Sequence, residues 1–294
     1  MRNRRIGCLG IFLFILTLIT VTVVIILIDS NTRLVTTEYK LYYEDLPDSF
    51  NGYRIVLLAD LHGAEHGEDN RRLVEAIRDA NPDIITIAGD LIDRHQPGRP
   101  VERQFEVAQT LVSQLVRIAP VYYVTGNHEW DSGKVRDFLA MLRENDVTVL
   151  QNQHRRLTIE NDSIILAGVE DPGGPADMIK PEDFINNVIQ REDPDFLIVL
   201  NHRNYGLSLF SSLGVDLILS GHAHGGMVRL PFTDGLVGAQ LEIFPTYTRG
   251  VYSRGETNMV VTAGLGNHVG WTRFLNNPQV VVVELSTHEG RRLT

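Results

Sequence analysis

The chain is 294 residues long, 43% hydrophobic and 22% charged, the fractions of an ordinary globular protein with room for one large domain or two smaller ones. Its one cysteine, Cys8, excludes an intramolecular disulfide framework and a cysteine-based zinc site. The formal net charge is −10 and, because Arg2, Arg4 and Arg5 are the only charges before position 29, residues 29–294 carry −13; with no basic stripe, that balance excludes a polynucleotide track but not a phosphate substrate held by cations.

Residues 6–28 carry no formal charge and would span about 34 Å as a helix, enough for a bilayer core. The arginines ahead of them predict a cytoplasmic N-terminus and a body outside the cytoplasm. A cleaved signal peptide is the competing reading, but the apolar run is long and Ile28-Asp29-Ser30-Asn31 makes a poor cleavage site. The expected division is a cytoplasmic stub and transmembrane signal anchor over 1–30, then one catalytic domain over 31–294, single-pass in the cell membrane.

An alternating patch at 37–42 predicts an edge strand leading into the domain. Strands follow at 53–59, 83–88, 121–124 and 147–150, with helices at 69–80, 101–118 and 134–144 between them. Such alternation argues an α/β fold with a largely parallel sheet. A hairpin around Asn161-Asp162, a helix near 181–190, a strand at 195–200, a short helix at 204–213 and later strands at 258–263 and 280–285 could supply a second sheet.

The strands share a feature. The first ends at Asp60-Leu61-His62, the second at Gly89-Asp90, the third at Gly126-Asn127-His128-Glu129 and the one at 195–200 at Asn201-His202. The apolar run 215–219 ends at Gly221-His222-Ala223-His224-Gly225. In open α/β sheets, sites form at the carboxyl ends of strands. Taken singly, each group could be a turn former, a cap or a structural histidine. Together, Asp60, His62, Asp90, Asn127, His202, His222 and His224 offer two carboxylates, four imidazoles and one amide oxygen, too many for one tetrahedral zinc. They suit two divalent or transition-metal ions (manganese favoured, iron or zinc as alternatives) sharing a carboxylate. Such a pair can clamp a phosphate ester and present a bridging hydroxide. His128, beside Asn127, is then the natural general acid for the leaving alkoxide.

In its order of Asp-x-His, Gly-Asp, Gly-Asn-His-Glu, His and Gly-His-x-His, the chain resembles the calcineurin-like metallophosphoesterase superfamily over about residues 50–285. The resemblance implies a four-layer αββα sandwich of two mixed sheets, here preceded by one N-terminal transmembrane helix. It implies that Asp60, His62, Asp90 and His224 hold one metal, that Asp90, Asn127, His202 and His222 hold the other, and that His128 serves the leaving group. Serine/threonine protein phosphatases share the earlier motifs but separate their last two ligand histidines. The His-x-His pair, the tail from Gly225 to Phe232 and Ala263-Gly264-Leu265-Gly266 are similar instead to the bacterial membrane-associated phosphodiesterase branch (YaeI/YkuE-like). Asn204 departs from that branch, where relatives often carry proline, and so does Met227, which often corresponds to glutamine.

Asn267 and His268 repeat the Gly-Asn-His text and are expected to line the cleft, as is His66. Asp93 and Glu129 are candidates to orient ligands. The expected activity is hydrolysis of a phosphoester, more a diester than a monoester, borne by lipid, cell wall or envelope. A protein or nucleotide phosphomonoesterase, or an inactive metal-binding envelope protein, are the alternatives. No nucleic-acid partner is expected.

Overall fold

The structure, a computed structural model, describes residues 2–94, 98–175, 177–238, 241–267, 270 and 272–288. It opens with helix α1 (Arg2–Thr32). Its stretch Leu9–Thr32 is long and apolar enough to cross a membrane; its side chains are exposed from Leu9 to Ile25, and only its end, where Ser30 is buried, packs on the domain. The hydroxyls of Thr17, Thr20 and Thr22 each donate to the carbonyl four residues back, so these three polar groups are satisfied within the helix.

Strand β1 (Val35–Tyr42) leaves the helix and is followed by β2 (Arg54–Leu58), α2 (Arg71–Asp79), β3 (Ile84–Ala88), α3 (Val101–Leu115) and β4 (Val121–Val124). Next come α4 (Asn127–Asp131), α5 (Val135–Glu144), β5 (Thr148–Val149) and the hairpin β6 (Gln153–Ile159) and β7 (Asp162–Gly168). The remainder is α6 (Pro181–Glu192), β8 (Leu197–Leu200), α7 (Leu207–Ser212), β9 (Leu217–Ser220), β10 (Gly250–Arg254), β11 (Thr257–Val261) and β12 (Gln279–Ser286).

The strands form two six-stranded sheets, ordered β1-β12-β2-β3-β4-β5 and β10-β11-β9-β8-β7-β6. Both are mixed. β12 runs antiparallel to β2 and parallel to β1, while the hairpins β6–β7 and β10–β11 bring antiparallel edges to the second sheet. Side-chain alternation along each strand builds the layers. Ile55 and Leu57 of β2 meet Ile198 and Leu200 of β8 and Leu217 and Leu219 of β9 in the core between the sheets. Val56 and Leu58 point the other way, onto Leu73 and Ile77 of α2 and Leu111 of α3. Leu197, Val199 and Ile218 leave the second sheet toward Phe184 and Ile185 of α6 and Phe210 of α7. The result is an αββα sandwich with apolar material at all three interfaces. Strands buried on both faces read as largely apolar runs, which is why β2, β3, β8 and β9 stand out in the sequence, with Thr86 inside β3 satisfied by the Val56 carbonyl.

Three features differ from the sequence reading. The last strand returns to the first sheet and wedges between β1 and β2. β10, half-exposed and polar, forms a hairpin with β11 that its pattern did not announce. A five-residue helix, α4, begins at Asn127, too short to show a helical period.

The last turn of α1 is fastened to the domain. The Asn31 amide donates to the Arg273 carbonyl at 2.9 Å, and its Oδ1 accepts from Arg273 N at 3.0 Å and Asn267 Nδ2 at 2.8 Å. The Asn277 amide donates to the Asp29 carbonyl at 2.8 Å.

Candidate metal centre

The carboxyl ends of β2, β3 and β4 in one sheet and of β8 and β9 in the other converge, and each delivers polar groups from the tight turn that follows it. Asp60, His62, Asp90, His222 and His224 adopt φ between +47° and +68°. That left-handed region is costly for residues with a Cβ, and such strain concentrates at functional sites. Close approach also constrains the glycines: a Cβ on Gly126 would lie 2.1 Å from Asp90 Oδ1, so a side chain there would push the carboxylate aside.

Glu129 locks two of the turns together. Fully buried, its carboxylate accepts from the backbone N–H of Gly126 at 2.8 Å, Asp90 at 2.9 Å and Ile92 at 3.2 Å. It therefore shapes the backbone under the candidate ligands Asp90 and Asn127. Glu129→Ala would strand three buried N–H groups and is expected to cost about 3 kcal/mol or more, measured as the shift in denaturant unfolding of the metal-free protein.

The histidines are oriented by their outward nitrogens. His202 Nδ1 donates to the Ala88 carbonyl at 2.7 Å and His224 Nδ1 to the Gly266 carbonyl at 3.3 Å, while His62 Nδ1 faces Asp93 Oδ2 at 3.5 Å. Each then turns Nε2 inward, with the tautomers assigned from these partners. His62 Nε2 and His224 Nε2 stand 3.1 Å apart. His202 Nε2 lies 3.1 Å from each of Asn127 Oδ1, His222 Nδ1 and Asp90 Oδ2. Asp90 Oδ2 is also 3.9 Å from His62 Nε2 and 3.9 Å from His128 Nε2, yet it is buried and makes no well-directed hydrogen bond. Asp60 with His62 and His224 makes one group of convergent donors and Asp90 with His202 and His222 another, each within 4.8 Å, and a third of the same span, His62, Asp90 and His128, joins them. Lone pairs facing one another in a dry pocket need a proton or a cation between them. Mixed imidazole and carboxylate donors fit divalent metal ions.

The protonation of the metal-free cluster follows from burial and charge. Burial holds the His62 and His224 imidazoles below their usual pKa and contributes most to lowering His222 to about 2, so these rings are neutral. Burial, reinforced by the Asp90 charge, pushes Asp60 up to about 7. For His202, burial opposes the charged form, but the Asp90 charge 3.1 Å from its Nε2 outweighs it and carries the ring up to about 10. His202 therefore holds a proton at pH 7 that a cation must displace. Metal loading at pH 7 is expected to release at least one proton, read by calorimetry in buffers of different ionisation enthalpy. Affinity is expected to rise about tenfold per pH unit between pH 7 and 9. Loading without proton release would remove His202 from the ligand set.

His128 lies at the rim, its side chain 13% exposed. Its backbone N–H donates to Asp90 Oδ1 at 2.9 Å and its Nδ1 to Asp93 Oδ1 at 2.6 Å. Nε2 is left turned toward Asp90 Oδ2 and the cleft. Burial disfavours its charged form, but the Asp93 hydrogen bond and the charges of Asp90, Asp93 and Glu129 win, and its pKa is raised.

Two groups escaped the sequence reading. The Arg203 guanidinium donates to both carboxylate oxygens of Asp171, at 2.5 and 3.0 Å, and lies 2.9 Å from His222 Nε2. Asp171 follows β7 in a strand-tip run, Val169-Glu170-Asp171-Pro172-Gly173, of the kind that marked the other turns, and Arg203 directly follows His202. Both line a cavity of about 160 Å³ that reaches His202. Another, of about 230 Å³, reaches His222 between Asn204, Tyr205, Glu242, Pro245 and Thr246.

Of the expected cleft residues, His66 is buried and its Nε2 bonds the Leu265 carbonyl at 2.9 Å, outside the convergent groups. The Asn267 side chain is taken up by Asn31 and by Arg273, whose Nε donates to it at 2.6 Å. His268 lies outside the described residues.

Residues 53–226 match the sequence model of the family described as calcineurin-like phosphoesterase. The chain is similar to the "Uncharacterized metallophosphoesterase YkuE" of Bacillus subtilis, 26% identical over 255 residues that cover 86% of this chain and 85% of that protein. It is also similar to the "Transmembrane protein with metallophosphoesterase domain" of Danio rerio, 31% identical over 239 residues, 76% of this chain and 51% of that protein. A third relative, "Uncharacterized metallophosphoesterase Cj0846" of Campylobacter jejuni, is 26% identical over 277 residues, 93% of this chain and 70% of that protein.

Proposed function

Because the chain belongs to the calcineurin-like phosphoesterase family, and so is a metal-dependent phosphoester hydrolase, we propose that it works as a phosphodiesterase on two ions that share Asp90. The observation that carries this reading is the buried Asp90 Oδ2, set between ring nitrogens of both donor groups with no well-directed hydrogen bond of its own. Asp60, His62 and His224 would complete one coordination set, and Asn127, His202 and His222 the other, with manganese the favoured ion. When bound, the ions supply Lewis acidity and a nucleophilic hydroxide near neutral pH. The protein's own groups do the rest. Asp93 holds His128 through Nδ1, so that Nε2 faces the cleft and can deliver a proton to the departing ester oxygen. Arg203, clamped by Asp171, sets a fixed positive charge beside His222 where an anionic ester enters.

Residues 1–30 would form a cytoplasmic stub and transmembrane anchor and residues 31–294 the catalytic domain, held outside the cytoplasm by α1. That placement favours a phosphoester carried by lipid or cell-wall polymer. The test is hydrolysis by the full chain, stripped of metal in detergent and reloaded. Manganese is expected to restore turnover of bis-p-nitrophenyl phosphate above that of p-nitrophenyl phosphate. Faster turnover of the monoester would make it a phosphatase. Absence of hydrolysis with bound manganese, iron, cobalt or zinc would make it a metal-binding protein without catalysis.

A further inference from the structure

Outside α1, nine large apolar side chains stand exposed among the described residues, and five of them fall in one loop: Leu230, Phe232, Leu241, Ile243 and Phe244. Leu275 lies close by in the fold. Phe232 is fully exposed, and Ile243 and Phe244 are 72% and 66% exposed. Single exposed apolar residues are ordinary, whereas a contiguous group marks an interaction surface. The loop is built to hold them out. The Arg229 guanidinium reaches inward to the carbonyls of Gly225, Thr233 and Asp234 and to Thr248 Oγ1, closing the loop on a fixed scaffold. Phe232 and Phe244 keep φ of +67° and +55°, a conformation bulky residues seldom adopt.

Its position indicates what covers it. Val228 pairs with Phe274 on one side and Val237 on the other, and Val237 pairs with Ile243. Phe274 follows Arg273, the residue that Asn31 grips at the end of α1. At about 4.8 Å per bridge, Ile243 lies within roughly 15 Å of Phe274, the neighbour of the residue that α1 grips. Between 230 and 246 the only charges are Asp234 and Glu242, with no lysine or arginine, so the surface is apolar rather than a polybasic patch for anionic headgroups. Glu242, Pro245 and Thr246 of the same loop line the cavity that reaches His222.

We propose that the exposed side chains of Leu230, Phe232, Leu241, Ile243 and Phe244 seat in the bilayer interface beside α1, so that the cavity at His222 opens at the membrane surface and admits a phosphoester carried on an amphiphile. This rests on the reading of α1 as a membrane anchor and of the centre as a phosphodiesterase. The apolar contact should be indifferent to lipid charge.

The test uses the full chain with Cys8→Ser, reconstituted in phosphatidylcholine vesicles with or without phosphatidylglycerol. Single cysteines at Phe232→Cys and Ile243→Cys carry an environment-sensitive fluorophore, with Arg155→Cys, on the far edge of the second sheet, as reference. Labels at 232 and 243 are expected to be quenched by nitroxide lipids at least threefold more than at 155, equally in both lipid mixtures, and to be shielded from iodide. Iodide access equal to that at 155 would overturn the proposal. So would shielding from both quenchers, which would indicate a protein contact such as a second copy. In a second measurement, the variant Phe232→Ser, Ile243→Ser, Phe244→Ser is expected to lower the ratio of turnover of vesicle-held hexadecyl p-nitrophenyl phosphate to that of bis-p-nitrophenyl phosphate about tenfold. An unchanged ratio would count against the substrate class. Failure of the unsubstituted chain to hydrolyse either diester would remove the phosphodiesterase reading, while the quenching would still decide the seating.

Discussion

Asp90→Asn is expected to prevent assembly of the proposed two-metal centre and lower kcat/KM for bis-p-nitrophenyl phosphate by at least about 10³-fold, roughly 4 kcal/mol of transition-state stabilisation. The asymmetry of the side chain makes this substitution informative. Its Oδ1 accepts from the His128 backbone, and asparagine keeps that acceptor. Its Oδ2 faces His202, His62 and His128, and there asparagine substitutes an N–H₂ donor for the shared anion. The fold should survive while the centre loses its common ligand. Metal analysis should find fewer than two ions per chain. A variant that retains two ions and near-normal turnover would remove Asp90 from the bridging position.

His128→Ala should separate chemistry from metal binding. A positioned general acid contributes about 10²- to 10⁴-fold, and a loss in that range is expected with both ions retained. The leaving group supplies the sharper criterion. p-Nitrophenolate departs with little need of a proton, whereas an alkoxide cannot. The loss should therefore grow as the leaving group becomes more basic, being smallest for bis-p-nitrophenyl phosphate and largest for an alkyl diester. A loss equal for all leaving groups would make His128 a positioning residue, and loss of metal would make it a ligand. Asp93→Asn should follow the same trend more weakly, because it removes the charged acceptor that fixes His128 Nδ1 without removing Nε2.

The strand tips were legible because the physics of a doubly covered sheet writes them plainly. β2, β3, β8 and β9 are buried on both faces, so they read as largely apolar runs, and the polar tip that ends each, Asp60, Asp90, Asn201-His202 or Ser220-Gly221-His222, marks where the chain emerges at the site. What stayed hidden depends on contacts between distant segments. The clamp of Arg203 by Asp171 joins the ends of β8 and β7, and neither residue is distinctive alone. Asn267 shares a Gly-Asn-His text with the tip of β4, yet its amide pairs with Asn31, 236 positions away, at the end of α1. The placement of β12 between β1 and β2 likewise rests on pairing with two strands far earlier in the chain, which its own apolar pattern does not specify. The Glu129 side chain illustrates a third limit. Its neighbours Asn127 and His128 face the candidate centre, while the fold turns the Glu129 carboxylate toward three backbone N–H groups.

The central claim is that one carboxylate, Asp90, couples two metal ions. Electron paramagnetic resonance of the manganese-loaded full chain, taken with metal analysis of the same sample, tests it most directly. The expected result is two ions per chain with an exchange-coupled spectrum that gives way to isolated-ion signals in Asp90→Asn. One ion per chain, or two magnetically independent ions in the unsubstituted protein, would contradict it.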